Sequence, residues 1–254
     1  FDEGLRQVAR RMRAGITVMD RTKQLKKHKN IFLGQDAVDW MVEAGCSLWQ
    51  VLPLSPTDPT GSPYSSWSAW SGNPALVGLD WLRQHGLLDD ATLETLDQSS
   101  YGDALFEKME LVRQAAEFML ASDDHPLRSQ FQRWKVSAPW ALDAALFQTI
   151  KSHHNHTGWW QWPKGLKDCQ PQALEAFYYE HRFAVETWRA MLFFFEEQWS
   201  DVRRYAKSRG LKIVGDLPIY VAWDSVDVWC HPELFQLDPQ GQPVQVAGCP
   251  PDAF

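Results

Sequence analysis

Asp216 stands inside the apolar run Leu211-Lys212-Ile213-Val214-Gly215-Asp216-Leu217-Pro218-Ile219-Tyr220-Val221. A carboxylate among Ile, Val and Leu is costly unless it is paired or functional. On a strand of an α/β barrel it points to the active face, and the competing reading is a salt bridge within the barrel. Asp224, Asp227 and Glu233 follow closely. Paired carboxylates are what glycoside chemistry needs, one as nucleophile and one as general acid and base. Sequence proximity does not set two carboxylates across a scissile bond, so these three read as loop caps and surface charge. His153, His154 and His156 form a cluster without further ligands at metal spacing, and read as a solvated loop. Cys46, Cys169, Cys230 and Cys249 form no C-x-x-C pair and read as unpaired thiols. The chain has no G-x-S-x-G, P-loop or G-x-G-x-x-G stretch, and nothing calls for a cofactor or metal.

The elements that must position these residues follow from pattern. Residues 3–14 and 35–44 read as helices, the second with Val38, Met41 and Val42 on its apolar side and Gly45 placed to end it. The run 47–54 has strand length and few polar residues, which predicts a strand buried on both faces of a parallel sheet. Residues 55–74 are a Ser-, Pro- and Gly-rich loop that also carries Tyr64, Trp67 and Trp70, more aromatics than a solvated linker needs. Helices are predicted over 103–121 and 139–152. A long helix over 172–208 carries Leu174, Phe177, His181, Val185, Trp188, Leu192, Phe195, Trp199 and Val202 at three- or four-residue intervals. Gly210 is placed to end it, and 211–221 is the second strand. This is βα alternation, the mark of a parallel sheet with helical crossovers. Two strands fall short of a closed eight-stranded barrel, so the fold reads as unfinished at its C-terminal side.

Charge and composition bound the rest. Residues 1–30 hold nine Lys/Arg against three Asp/Glu, a local +6, within a chain of net charge −7, which leaves −13 elsewhere. The basic end suits an anionic surface or is a solvated helix face, while the acidic remainder argues against nucleic acid. Fourteen Trp suit clefts that stack on the apolar faces of sugar rings, although core packing uses Trp as readily. There is no apolar run of about 18 residues and no apolar signal core, so neither a membrane span nor secretion is expected.

Three stretches carry a resemblance. SLWQVLPLSPTDPTGSPYSSWSAWSGNPALVGL (47–79), LKIVGDLPIYVAWDSVDVW (211–229) and PELFQLDPQGQPVQVAGCPPD (232–252), with WALDAALFQTIK (140–151) and WWQWP (159–163) between them, resemble segments of the amylomaltases and disproportionating enzymes of glycoside hydrolase family 77. The resemblance covers about residues 35–254. It implies an α-amylase-like (β/α)8 barrel, present in part with a helical insertion at about 80–170. It also implies transfer of α-1,4-glucan segments with retention through a covalent glycosyl-enzyme. Carried across position by position, Ser62, Tyr64 and Asn73 belong to a sugar-binding loop. Tyr101 corresponds loosely to a Tyr near the donor cleft, Asp216 to a substrate-contacting Asp, and Gly248, Pro250 and Asp252 to a loop overhanging the site. The family's nucleophile Asp, acid/base Glu and a further Asp come later than Phe254, so the chain by itself is expected to be inactive. Ala253 stands where the family has Tyr, and the family's first barrel strand is absent before residue 35.

LRQVARRMRAGITVMDRTKQLKKHKNIFLGQDAVDWMV (5–42) resembles the first half of a DEP domain, a small α/β module that docks to membranes or signalling partners. The expected organisation is a DEP-like segment over 1–45 and a glucanotransferase barrel portion over 46–254, in the cytosol or a plastid.

Overall fold

The computed structural model describes residues 34–58, 61–89 and 101–245. The DEP-like motif before Gly34 and the 248–252 segment lie outside the described residues. Two compact units are formed, one from Phe1–Leu52, Pro74–Phe118 and Phe194–Asp216, the other from Pro53–Asn73, Met119–Phe193 and Leu217–Phe254.

The first unit is built on α1 (Gly34–Glu43), β1 (Leu48–Gln50), α2 (Leu79–Gln84), most of α3 (Tyr101–Ala121), the later part of α8 (Arg182–Ser208) and β2 (Lys212–Val214). β1 and β2 pair in parallel, with Leu48 opposite Lys212 and Gln50 opposite Val214. The predicted parallel pairing is therefore present. Each strand, however, is three residues long rather than a full apolar run, and Asp216 lies just beyond β2 rather than within it. Burial on both faces is also not found: Leu48 is 59% and Val214 43% exposed, while Trp49 and Ile213 turn towards α1 and α8. There Val38, Ala206 and Leu211 are buried with Met41, Val42 and Tyr205 around them. The Tyr205 hydroxyl donates to Asp39 at 2.8 Å, and Arg209 Nε lies 3.0 Å from the same carboxylate.

The two helix ends read from glycine behave as expected. At Gly45 (φ 81°) the amide bonds to Val42 O while Cys46 N reaches Met41 O. At Gly210 (φ 76°) the amide bonds to Lys207 O and Leu211 N to Ala206 O. Both are the paired closure that needs a left-handed residue after the last turn. A Cβ on Gly210 would meet nothing within 4 Å, so only backbone strain opposes substitution. Gly210→Ala is expected to lower stability by about 1 kcal/mol in urea unfolding followed by circular dichroism.

The second unit holds α4 (Pro126–Ser137), α5 (Trp140–His153), α6 (Lys164–Lys167), α7 (Pro171–Glu180), the start of α8 and α9 (Val226–Cys230). Its core is aromatic: Phe147, Trp162 and Trp229 lie with ring centroids 5.4–5.7 Å apart, and Trp159, Phe177 and Val185 are buried with them. Each buried indole finds an acceptor, Trp159 on Trp223 O, Trp162 on Thr157 O and Trp229 on Leu166 O. The helix predicted over 172–208 is two helices. His181 (φ −111°, ψ 23°) separates them, yet its amide still bonds to Phe177 O and its carbonyl accepts from Val185 N. The i→i−4 hydrogen bonds thus continue up to and away from His181 on both sides of the break. Among the described residues no helix is long and apolar enough to cross a membrane.

Candidate functional site

Residues 53–73 are a folded loop rather than a linker. Asn73 N donates to Leu54 O at 2.9 Å and closes its neck. Asp58 organises the turn, its carboxylate accepting from Ser62 N at 3.0 Å and its amide donating to Ser62 O. Ser62 in turn caps the short 3-10 turn Pro63–Ser65, its Oγ accepting from Tyr64 N. Serines of this stretch lie inside: Ser55, Ser66, Ser68 and Ser71 are buried, and Ser66 Oγ both donates to Ser68 O and accepts from Ser68 N. Short hydroxyls thus take over backbone hydrogen bonds where no helix or strand supplies them.

The three loop aromatics divide. Trp67 packs on the core, 6.4 Å from Phe147 and 6.3 Å from Trp188. Tyr64 and Trp70 stay in solvent, 46% and 77% exposed. The loop is held from below by the segment leading into α9: Ala222 N donates to Ser66 O, Val226 N to Trp67 O, and Ala69 N to Asp227 Oδ2 at 3.0 Å.

The carboxylates that follow β2 are therefore structural partners. Asp227 anchors the loop, Asp224 pairs with Lys151, and exposed Glu233 lies 3.4 Å from His231. Burial pushes the Asp227 carboxyl above its ordinary value, and the bond from Ala69 N only partly offsets this. A folded-state value raised above the unfolded one means that charging Asp227 costs stability as pH rises through it. Asp227→Asn keeps an acceptor without the charge, so its urea midpoint at pH 7 is expected to match or exceed the parent's. Asp227→Ala is expected to lose about 1 kcal/mol. Equal losses for both variants would show that the charge, not the acceptor, matters.

Ser62, Tyr64 and Asn73 are thus brought together on one loop, with Asn73 buried. Asp216 is half-buried at the end of the first unit. Tyr101 opens α3, its side chain outside the described residues, as are Gly248, Pro250 and Asp252. His153 and His154 lie at the end of α5, where His153 meets Phe177 and His181. Among the described residues no group of three or more His, Cys, Asp or Glu could hold a metal ion.

Sequence reading missed a buried ionic cluster. Glu186 on α8, 8% exposed, accepts from Lys135 Nζ at 2.7 Å, Arg189 at 2.9 Å and the Tyr178 hydroxyl at 3.1 Å. Its one legible signal was a Glu beside Val185 in the apolar phase of α8.

Residues 33–254 match the family described as 4-alpha-glucanotransferase, Glyco_hydro_77. The chain belongs to this family. The chloroplastic/amyloplastic 4-alpha-glucanotransferase of Oryza sativa subsp. japonica is 39% identical over 259 residues, 97% of this chain and 43% of that protein. A 4-alpha-glucanotransferase of Synechocystis sp. is 38% identical over 224 residues, 85% of this chain and 44% of its own. Among solved structures, the amylomaltase from Streptococcus agalactiae in complex with acarbose superposes with a TM-score of 0.79 at 30% identity, covering 87% of this chain and 46% of that one. The chain spans less than half the length of these 4-alpha-glucanotransferases.

Proposed function

We propose that this chain is the glucan-binding part of a 4-alpha-glucanotransferase that moves α-1,4-glucan segments between maltooligosaccharides with retention of configuration. The observation that carries the reading is the match of residues 33–254 to that family, with residues 53–73 folded as a closed loop that offers Tyr64 to solvent. In this reading β1 and β2 are neighbouring strands of a (β/α)8 barrel present in part. The Tyr64 ring stacks on a sugar face, with Ser62 and Asn73 beside it in the loop. By the family resemblance, Asp216, Tyr101 and the segment holding Gly248, Pro250 and Asp252 are further glucan-contacting positions. The two carboxylates that a retaining mechanism requires are not among these residues, so residues 1–254 alone bind glucan without transferring it. The plastid and the cytosol both suit such a substrate.

Titration calorimetry with maltoheptaose, paired with glucose release from maltotriose, tests this. Heat of binding without glucose release is expected, and Tyr64→Ala is expected to weaken binding about fivefold. Absence of binding, or release of glucose by this chain, overturns the proposal. The local +6 charge of residues 1–30 and the DEP-like motif favour a second role for that end, docking to an anionic membrane. Co-sedimentation with liposomes that does not rise with anionic lipid content counts against it.

A further inference from the structure

Cys169 and Cys230 come from distant parts of the chain and meet in the second unit. Cys169 sits in the turn between α6 and α7 with a left-handed backbone (φ 49°), and Cys230 is the last residue of α9. Both are partly buried against the core that contains Trp229 and Leu166. The Cys169 thiol reaches the carbonyl oxygen of Trp229, the residue before Cys230, at 3.4 Å, and both cysteines pack on the same core. Both are free thiols, and neither contributes to the proposed glucan contacts.

We propose that Cys169 and Cys230 form a reversible disulfide by exchange with a small-molecule disulfide such as oxidised glutathione. The Cys169 thiolate attacks one sulfur of the reagent, forming a mixed disulfide and releasing one glutathione thiolate. Cys230 gives up its proton and attacks the Cys169 sulfur, and the second glutathione leaves. Two protein thiols and one glutathione disulfide thus become one protein disulfide and two glutathione thiols. This order follows from the surroundings. The neighbouring Cys169 thiol, then burial, then the carboxylates of Asp143 and Asp227 hold the Cys230 thiol protonated. This disfavours it as the first attacker and leaves it the intramolecular second step, where proximity to the mixed disulfide offsets its low thiolate fraction. Closure to a sulfur–sulfur distance of about 2.05 Å starts with the Cys169 sulfur already seated on the backbone next to Cys230.

The bond would tie the turn before α7 to the C-terminal end of α9. The segment entering α9 and its first turn are what hold Trp67 and Ala69 of the aromatic loop. Oxidation would thereby fasten the support of that loop. It would also close a long loop of chain, which disfavours the unfolded state.

The test treats the chain with oxidised glutathione, blocks remaining thiols with N-ethylmaleimide, and digests it for mass spectrometry. The expected result is loss of two hydrogen atoms from the intact mass before the maleimide step, a linked peptide pair containing Cys169 and Cys230, and Cys46 and Cys249 outside that pair. Dithiothreitol is expected to restore both thiols, and the oxidised form to unfold at higher urea than the reduced one. Cys169→Ser and Cys230→Ser are each expected to yield no linked pair. Stable glutathione adducts on Cys169 with no linked pair, or full maleimide labelling of both cysteines after treatment, would overturn the proposal. Because the decisive readout is on the parent chain, poor folding of a variant does not affect it.

Discussion

Glu186→Ala is expected to destabilise the second unit by about 3–5 kcal/mol. The carboxylate is buried between Lys135 Nζ and the Arg189 guanidinium, and the Tyr178 hydroxyl donates to the same oxygen that Arg189 uses. Removing it leaves two cations with little solvent and no counter-charge. Arg189 Nε is already buried without a partner, so the cluster has no slack to absorb the loss. Glu186→Gln keeps the shape and two polar atoms but not the charge, and its loss should fall between parent and alanine. Lys135→Met with Glu186→Met should recover only the share of the deficit due to Lys135, because Arg189 stays buried without its counter-charge. Urea unfolding followed by Trp fluorescence measures all three.

The same residue sets a pH dependence. Burial raises the Glu186 carboxyl, but the hydrogen bonds and charges of Lys135 and Arg189 outweigh it, and the net value lies below the ordinary 4.5. A carboxyl depressed in the folded state contributes stability that is present above its unfolded value and lost as pH falls through its folded one. The Glu186→Ala deficit is therefore expected in full at pH 7 and to shrink below about pH 4. A deficit that stays constant down to pH 3 would contradict the ion-pair account and leave packing as its cause.

Trp229→Ala is the other large effect, also about 3–5 kcal/mol. Trp229 is 1% exposed, lies 5.4 Å from Trp162 and 5.7 Å from Phe147 by ring centroids, and gives its indole N–H to Leu166 O at 2.9 Å. Truncation opens a cavity between two aromatic rings and removes the indole donor to Leu166 O, which keeps only the Cys169 amide at 3.2 Å. Trp229→Phe restores most of the volume but not the donor, so it isolates the hydrogen bond, for which about 1–2 kcal/mol is expected. The ring sits on the helix that holds Ala69 and Trp67, so Trp229→Ala should also expose the aromatic loop to proteolysis. Cleavage within 55–73 at the parent's rate would show that the loop holds without this support.

Much of the chain was legible as sequence because local rules suffice for it. Gly45 and Gly210 end helices where a left-handed residue is required, and a side chain at either position would strain the backbone. The periodicity of 172–208 marks one apolar helical face, although the chain divides into two helices at His181, and the two strand runs announce a parallel pair. The motifs at 47–79, 211–229 and 232–252 were long enough to name the family by themselves. What they could not convey was use. Four serines of this loop are buried, and Ser55, Ser66 and Ser68 pair their hydroxyls with backbone groups, because a compact loop without regular structure must satisfy its backbone from side chains. Asp224 and Asp227, which have the residue types of glycoside chemistry, are committed to Lys151 and to Ala69 N. Of three loop aromatics only Tyr64 and Trp70 face solvent, a division that composition cannot express. The Glu186 cluster and the Cys169–Cys230 pair are contacts between distant segments, and residue spacing along one chain says nothing about which side chains close packing brings together.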